Sequence, residues 1–162
     1  MIEIIEKNIL DNTNGIICHQ VNCFTMGKGL ANDIKEKYPV VYEEYARIIN
    51  QYRNNSRLLL GEVLYVPIDE SLVVANLFAQ YKYKKYNEKT PVRYTDYSFL
   101  YSCLEDVKDF ALRVNKDVHL PFEIGCGLGG GSWDIVSSMI NEIFTGTDIN
   151  CYINKFSPVK QW

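Results

Sequence analysis

Three polar residues follow an apolar segment near the start of the chain and are its first candidates for chemistry. Ile16-Ile17-Cys18 is typical of a buried strand, and His19, Gln20 and Asn22 come directly after it. An imidazole titrates near neutral pH and can move a proton, whereas an amide can orient a hydroxyl group. His19 is therefore a candidate acid or base, with a structural histidine as the equal alternative. Asn22 either orients a ligand or forms a turn.

A glycine-rich segment, Gly27-Lys28-Gly29, follows these residues and leads into an amphipathic segment typical of a helix. Glycine lets backbone N–H groups approach a phosphate closely, and a helix N-terminus favours negative charge. A second segment, 125–131, repeats the pattern between an apolar strand and the helix that Ser132-Trp133 opens. Two such loops predict a ligand that carries a diphosphate and is held from two sides.

Neither loop is a standard nucleotide-binding motif. Gly125, Gly127 and Gly130 match the dinucleotide fingerprint formally, but only one predicted strand follows them, too few for a nucleotide-binding half-sheet. The first loop lacks the first glycine of a Walker A motif, because Asn22 stands there, and Gly29 replaces the required Ser or Thr. We therefore favour a phosphate-binding loop of another fold, with a structural turn as the alternative.

These two segments favour neither a metal site nor a cysteine nucleophile. Cys18 and His19 are consecutive in a predicted strand and point to opposite faces, so that they do not converge with Cys23 on a metal. Cys126 lies in the second glycine loop, but no Arg follows at the spacing of a cysteine phosphatase, which leaves it a minor candidate nucleophile. We expect no metal and no cofactor.

The composition is that of an ordinary globular protein, and we expect one domain over residues 1–162. A net charge of −3 argues against a dedicated nucleic-acid binder. Five cysteines without framework spacing, and no signal-peptide pattern, predict free thiols in the cytoplasm. We expect no membrane span, and a monomer.

One basic, tyrosine-rich segment stands apart from this composition. Tyr81-Lys82-Tyr83-Lys84-Lys85-Tyr86 interleaves aromatic and basic side chains, as surfaces that bind single-stranded nucleic acid do. One short run of this kind in an acidic protein is more typical of a solvated loop. We interpret residues 80–93 as a loop over the ligand side that could face a macromolecular partner.

Strands and helices alternate along the chain, which predicts an α/β sandwich. Helices are predicted at 30–38, 40–52, 96–114 and 133–144. Strands are predicted at 2–5, from Ile16 onward, and at 58–68, 72–79, 118–124 and 149–156, with Gly61 as a bulge in the third of them. Because the early strands come without helices between them, we expect a mixed sheet.

These segments together resemble the macro domain family, whose members bind ADP-ribose. The resemblance is carried by three blocks: His19-Gln20-Val21-Asn22-Cys23 with Gly27-Lys28-Gly29-Leu30-Ala31, then Val74-Ala75-Asn76-Leu77-Phe78-Ala79-Gln80, then Leu120-Pro121-Phe122-Glu123-Ile124-Gly125-Cys126-Gly127-Leu128. The order and spacing of the blocks cover nearly the whole chain. The resemblance implies a three-layer α/β/α sandwich with a mixed central sheet and a ligand cleft across the strand ends.

By this resemblance the two glycine loops hold the diphosphate and distal ribose, Asn22 meets the distal ribose, and Asn8-Ile9 face adenine. An Asp is common at the position of Asn8, and the carbonyl oxygen of an Asn can accept there too. Tyr152, Asn154 or Phe156 would stack on adenine. The implied ADP-ribose-binding residues are Asn8, Ile9, Asn22, Gly27, Lys28, Gly29, Leu30, Ala31, Gln80, Ile124, Gly125, Cys126, Gly127, Leu128 and Gly129.

The resemblance is strongest to the branch that contains ADP-ribose 1″-phosphate phosphatases and terminal ADP-ribose glycohydrolases. The glycohydrolases use a Lys and an Asp where this chain has Gln80 and Gly129, unless Lys82, Lys84 or Lys85 supplies the amine. The phosphatases have a His at the position of His19. We therefore expect phosphate hydrolysis with His19 and Asn22 as catalytic residues. A non-catalytic ADP-ribose-binding module and a hydrolase acting on an ADP-ribosylated macromolecule are the alternatives.

Overall fold

The computed structural model describes residues 1–85 and 87–157, and the last five residues of the predicted domain lie outside this range. Within it, six strands form one sheet in the order β1-β6-β5-β2-β4-β3. All neighbouring strands are parallel except β3 and β4, which are antiparallel. The strands are β1 (Ile2–Glu6), β2 (Gly15–Val21), β3 (Val63–Pro67), β4 (Leu72–Phe78), β5 (Val118–Pro121) and β6 (Cys151–Lys155).

Two pairs of helices cover the two faces of this sheet. The helices are α1 (Gly29–Lys37), α2 (Pro39–Gln51), α3 (Tyr97–Val114) and α4 (Trp133–Phe144). Helices α3 and α4 bury their apolar stripes against one face, and α1 and α2 pack against the other. The predicted three-layer α/β/α sandwich with a mixed sheet is confirmed. None of these helices is both long and apolar enough to cross a membrane.

Local sequence explains why the helices lie close to their predicted positions. Pro39 occupies the first turn of α2, where its missing N–H costs no hydrogen bond. Asp96 caps α3 by accepting hydrogen bonds from the backbone N–H groups of Ser98 and Phe99. Every residue of β4 is buried, which matches a central strand with both faces covered.

Three predicted strands are shorter than expected, and a turn of the chain accounts for two of them. In the segment 58–68, a 3-10 helix at Ser56–Leu59 comes first, and Gly61 forms a turn at φ +87° before β3 instead of a bulge within it. Strand β5 ends at Pro121 because the chain turns there, with Glu123 at φ +59°. The final strand β6 begins at Cys151, two residues later than predicted.

The expected reason for a mixed sheet, early strands that follow each other without a helix between them, is confirmed for β3 and β4 and wrong for β1 and β2. Strand β1 does not pair with β2, since β6 and β5 lie between them in the sheet. The mixed character comes only from β3, which turns back antiparallel to β4 at the edge. The parallel strands consequently end along one common edge of the sheet.

Candidate active site

A cavity of about 590 Å³ opens at the C-terminal ends of β2, β4 and β5. This is where ligands of open parallel sheets generally bind. Most of the predicted site residues line it together: His19, Asn22, Gly27, Lys28, Gly29, Leu30, Ala31, Gln80, Ile124, Gly125, Gly127, Leu128 and Gly129.

A second cavity of about 530 Å³ continues along the same edge of the sheet towards β1 and β6. It shares Leu30 and the 121–123 segment with the first cavity. Asn8 and Ile9 lie here, together with Asn154 and Phe156. Phe156 is exposed, whereas Asn154 is buried and Tyr152 stacks on His119. Of the three residues predicted to stack on adenine, Phe156 is therefore the one whose ring is open to a planar ligand.

The wall at α1 is a helix N-terminus without a side-chain cap. Lys28 is the capping residue, and its side chain makes no capping hydrogen bond. Gly29 starts the helix at φ +62°, a conformation that glycine adopts freely. The first-turn N–H groups of a helix have no partners inside the helix, and here the residues that carry them, Gly29, Leu30 and Ala31, line the cavity. This wall can therefore bind an anion.

The opposite wall is the 125–131 loop, which folds tightly around one carbonyl group. The oxygen of Gly125 accepts hydrogen bonds from the Gly131 N–H and, at 2.6 Å, from the Thr95 hydroxyl. A Cβ atom on Gly129 would lie 2.7 Å from that same oxygen and would overlap the Thr95 Oγ1. Glycine is thus required at this position by close packing of the loop upon itself.

A network of side chains under this loop joins it to β2 and β4. The Gln20 Nε2 donates to Gln80 Oε1 at 2.7 Å and to Thr95 Oγ1 at 2.8 Å. Gln80 in turn donates from its own Nε2 to the backbone oxygen of Lys82. Both ends of the Gln80 amide are therefore engaged, and the residue is only 8% exposed. Its role in this structure is to hold the floor of the cavity.

His19 lies in the wall of the cavity with its side chain almost fully enclosed. The residue is 1% exposed, and its Nε2 lies 2.5 Å from Asn76 Oδ1. Its Nδ1 has no hydrogen-bond partner among the described residues. Burial lowers the pKa of His19 from its ordinary value of 6.5 to about 4, and the hydrogen bond to Asn76 opposes this only in part. The imidazole is neutral at pH 7.

Asn22 forms the turn that its sequence position suggested, and it also borders the cavity. Its Oδ1 accepts hydrogen bonds from the backbone N–H groups of Phe24 and Thr25, both at 2.8 Å, which forms a turn. Its backbone oxygen accepts from the Tyr45 hydroxyl. The residue still borders the cavity, and its amide NH₂ is the part of the side chain not used by the turn.

Cys126 is the one predicted ligand-binding residue that lines neither cavity. It is half-buried, its Sγ donates to the Ile124 oxygen, and burial raises its pKa to about 11. It is therefore a poor nucleophile at neutral pH. Across residues 1–85 and 87–157, no group of three His, Cys, Asp or Glu side chains is placed to hold a metal ion.

The tyrosine-rich loop reaches the cavity with Tyr83 and Lys84. Tyr81 instead packs inward, with the Arg57 guanidinium 3.8 Å from its ring centroid and Phe24 against its edge. Tyr86, part of the predicted run, lies outside the described residues. The loop thus contributes one aromatic and one basic side chain to the site rather than a continuous stacking surface.

Sequence reasoning missed several residues that shape the site. Thr25, Tyr83, Lys84, Phe122 and Glu123 also line the main cavity. The sequence indicated Lys84 only as one of three lysines that could supply the amine of a glycohydrolase. Thr95 and Asn76, which hold the glycine loop and His19, carried no local signal because their partners are distant in sequence.

We predict that Gly129→Ala destabilises the protein, whereas Gly127→Ala leaves its stability unchanged. The Gly129 Cβ would overlap Thr95 and the Gly125 oxygen, at a cost of at least about 1–3 kcal/mol, while a Cβ on Gly127 meets nothing within 4 Å. Urea unfolding measures both variants. Equal stability of the two variants would contradict this account of the loop.

We also predict that acidification destabilises the protein through His19. Between its unfolded pKa of 6.5 and its folded pKa of about 4, the unfolded chain binds a proton that the folded protein does not. The contribution of His19 to the free energy of unfolding is fully present above pH 6.5. It is lost as the pH is lowered from 6.5 to about 4. Going from about pH 7 to about pH 5 should cost about 2 kcal/mol through this residue.

The measurement is urea unfolding at both pH values for the wild type and for His19→Gln. We expect a drop smaller by about 2 kcal/mol in the variant. His119, whose pKa is also lowered, mainly by burial, contributes equally to both proteins. His119→Gln therefore serves as the control that leaves the His19 contribution in place. An unchanged drop in His19→Gln would refute the assignment.

The amino-acid sequence of this chain is similar to those of known proteins. No protein-family model matches the chain. It is 32% identical over 133 residues to human ADP-ribose glycohydrolase OARD1, covering 82% of this chain and 74% of the relative. A protein of Enterobacteria phage T4 that is uncharacterised is 25% identical over 139 residues, covering 82% of each.

Solved structures show the same fold. The macrodomain protein from Streptomyces coelicolor superposes with a TM-score of 0.76 at 23% identity, covering 98% of this chain and all of that one. Thermosipho africanus DarTG in complex with ADP-ribose gives a TM-score of 0.72 at 18% identity, covering 98% of this chain and 42% of that one. With the fold, the cleft and the human relative in agreement, the chain belongs to the macro domain family.

Proposed function

We propose that this chain binds ADP-ribose in the cleft and hydrolyses the terminal phosphate of ADP-ribose 1″-phosphate. The observation that carries the proposal is that two glycine loops, two lysines and the His19 imidazole line one cavity at the strand ends. The human relative is named an ADP-ribose glycohydrolase, and one structural neighbour was solved with ADP-ribose, which supports the choice of ligand.

The diphosphate is assigned to the gap between the α1 N-terminus and the 125–131 loop. Uncapped N–H groups of the first helical turn border the cavity on one side, and the glycine loop borders it on the other. The Asn22 amide NH₂ is assigned to a hydroxyl of the distal ribose. The second cavity, with exposed Phe156, is assigned to the adenine ring.

His19 is assigned the activation of water rather than protonation of the leaving oxygen. Its Nε2 is engaged with Asn76, and a pKa of about 4 leaves Nδ1 without a proton at neutral pH. The water oxygen attacks phosphorus, and Nδ1 takes the proton that the water loses. The bond from phosphorus to the sugar oxygen breaks, and that oxygen leaves as a hydroxyl after protonation by solvent. The products are ADP-ribose and inorganic phosphate.

Two lysines are placed to stabilise charge on the reacting phosphoryl group. Lys28 lies beside the α1 N-terminus, and Lys84 reaches the cavity from the tyrosine-rich loop. Positive groups aimed at oxygens that gain charge in the transition state are among the largest contributors to catalysis.

We predict that His19→Gln slows phosphate release from ADP-ribose 1″-phosphate by about 100-fold or more, because the general base is lost. Its affinity for ADP-ribose, measured by calorimetric titration, should stay within about threefold, since both glycine loops are unchanged and glutamine keeps a polar side chain of similar size in the wall. The matched control is His119→Gln, which removes the other histidine of the chain, a residue that lies outside both cavities.

Three results are informative here. Full phosphate release by His19→Gln would remove the assignment of the base. ADP-ribose binding by the wild type without phosphate release would exclude the phosphatase and favour a binding module. Absence of ADP-ribose binding would exclude the proposed ligand altogether.

A second candidate function is release of ADP-ribose from a modified macromolecule, and the position of Lys84 favours it. The glycohydrolase branch implied by the sequence needs an amine that Gln80 cannot supply, and Lys84 lines the same cavity. Its amine would attack C1″ as the ester bond to the carrier breaks, and water would then release ADP-ribose. The exposed lysines around it could contact the carrier.

Lys84→Arg separates the two candidates, because arginine keeps the positive charge but is not a nucleophile. If Lys84 only stabilises phosphate, we expect this variant to keep phosphate release within about tenfold. If Lys84 is the nucleophile, release of ADP-ribose from an ADP-ribosylated glutamate protein should fall by at least about 1,000-fold. Lys85→Arg, in the same loop but outside the cavity, is the control. No release by the wild type would exclude the second candidate.

A further inference from the structure

Three neighbouring strands are joined by a line of side-chain hydrogen bonds that ends at His19. Asn76 on β4 is fully buried and lies opposite His19 of β2 on one side and Leu64 of β3 on the other. Its Nδ2 donates to the Leu64 backbone oxygen at 2.9 Å, and its Oδ1 lies 2.5 Å from the His19 Nε2. Both polar atoms of this buried amide therefore have partners.

The Leu64 contact determines which way the Asn76 amide faces. A backbone oxygen only accepts hydrogen bonds, so the amide atom that meets it is the NH₂ group. The Oδ1 consequently points at His19 and needs a donor from the imidazole. A neutral imidazole carries one N–H, which must then be on Nε2, and Nδ1 remains an acceptor.

The exposed fraction of His19 shows that this acceptor is not satisfied by bulk water. His19 is 1% exposed, and Nδ1 has no hydrogen-bond partner in the part of the chain that the structure describes. A buried acceptor without a donor is unfavourable, and such atoms are usually completed by an ordered water or a ligand. The Nδ1 atom is itself buried, so completing this acceptor requires a water or ligand bound tightly against the part of the wall that His19 shares with the cavity.

We propose that Asn76 is a positioning residue, which holds His19 in the Nε2–H form so that Nδ1 presents a lone pair to the reacting water. This inference rests on the proposed phosphatase function for its catalytic meaning. The tautomer itself does not depend on that function. Asn76 does not touch the substrate and acts only through the imidazole.

The direct test is the nitrogen NMR spectrum of the wild-type protein with ¹⁵N-labelled histidine at neutral pH. We expect the His19 Nε2 to have the chemical shift of a protonated nitrogen and Nδ1 that of an unprotonated one. The chain has only two histidines, so His119→Gln assigns the signals. A protonated Nδ1 in His19 would overturn the proposal without any variant having to fold.

Two substitutions of Asn76 then connect the tautomer with activity. Asn76→Leu removes the acceptor with little change in size, and we expect a mixture of tautomers and a fall in kcat for phosphate release of at least about 100-fold. Asn76→Asp keeps the acceptor, so the tautomer should remain and kcat should exceed that of Asn76→Leu by about tenfold or more. Affinity for ADP-ribose should stay within about threefold in both variants.

The outcomes separate the two proposals. An Asn76→Leu protein that folds, keeps the Nε2–H tautomer and keeps kcat would overturn the role of Asn76. A wild-type protein that shows the Nε2–H tautomer but releases no phosphate would contradict the proposed function and leave the tautomer assignment standing. The His119 signals should be unchanged in every Asn76 variant, because His119 bonds to the Asn14 oxygen elsewhere.

Discussion

The site depends on how closely the 125–131 loop packs against Thr95. The Gly125 oxygen accepts from both Thr95 and Gly131, and this arrangement leaves no space for a side chain at Gly129. The same Thr95 accepts a hydrogen bond from Gln20, which connects the loop to the central strand β2. The N–H groups of Cys126, Gly130 and Gly131 donate hydrogen bonds within the loop, which leaves those of Gly127, Leu128 and Gly129 for an anion in the cavity.

Burial decides the chemistry that His19 can perform. The strand position suggested only an imidazole near a ligand, able to give or take a proton. Enclosure of the imidazole lowers its pKa, and the hydrogen bond to Asn76 on the neighbouring strand β4 uses its one N–H. The Nδ1 atom therefore remains as a hydrogen-bond acceptor. In the proposed reaction this atom takes the proton of the attacking water.

Helices were predictable because their signals are local. The apolar stripe of α3 and its Asp96 cap lie within one segment, and Pro39 marks the start of α2. Strand ends were harder to predict, because apolar residues continue past the point where the chain turns. Gly61 and Glu123 both adopt positive φ angles, and only the glycine gave a sign of this in the sequence. The pairing of β1 with β6 joins the two ends of the described chain and has no local signal.

The sequence by itself determined the family resemblance, the layered α/β/α fold and the two glycine loops, since these follow from short motifs in order and from hydrophobic periodicity. It also indicated most of the residues that line the cavity. Only the tertiary structure decided that Lys84 reaches the cavity while Cys126 does not, and that Gln80 is held by Gln20. Only the tertiary structure paired His19 with Asn76, because that contact joins strands distant in sequence. Side-chain partners across a sheet depend on strand order and register, which no local pattern encodes.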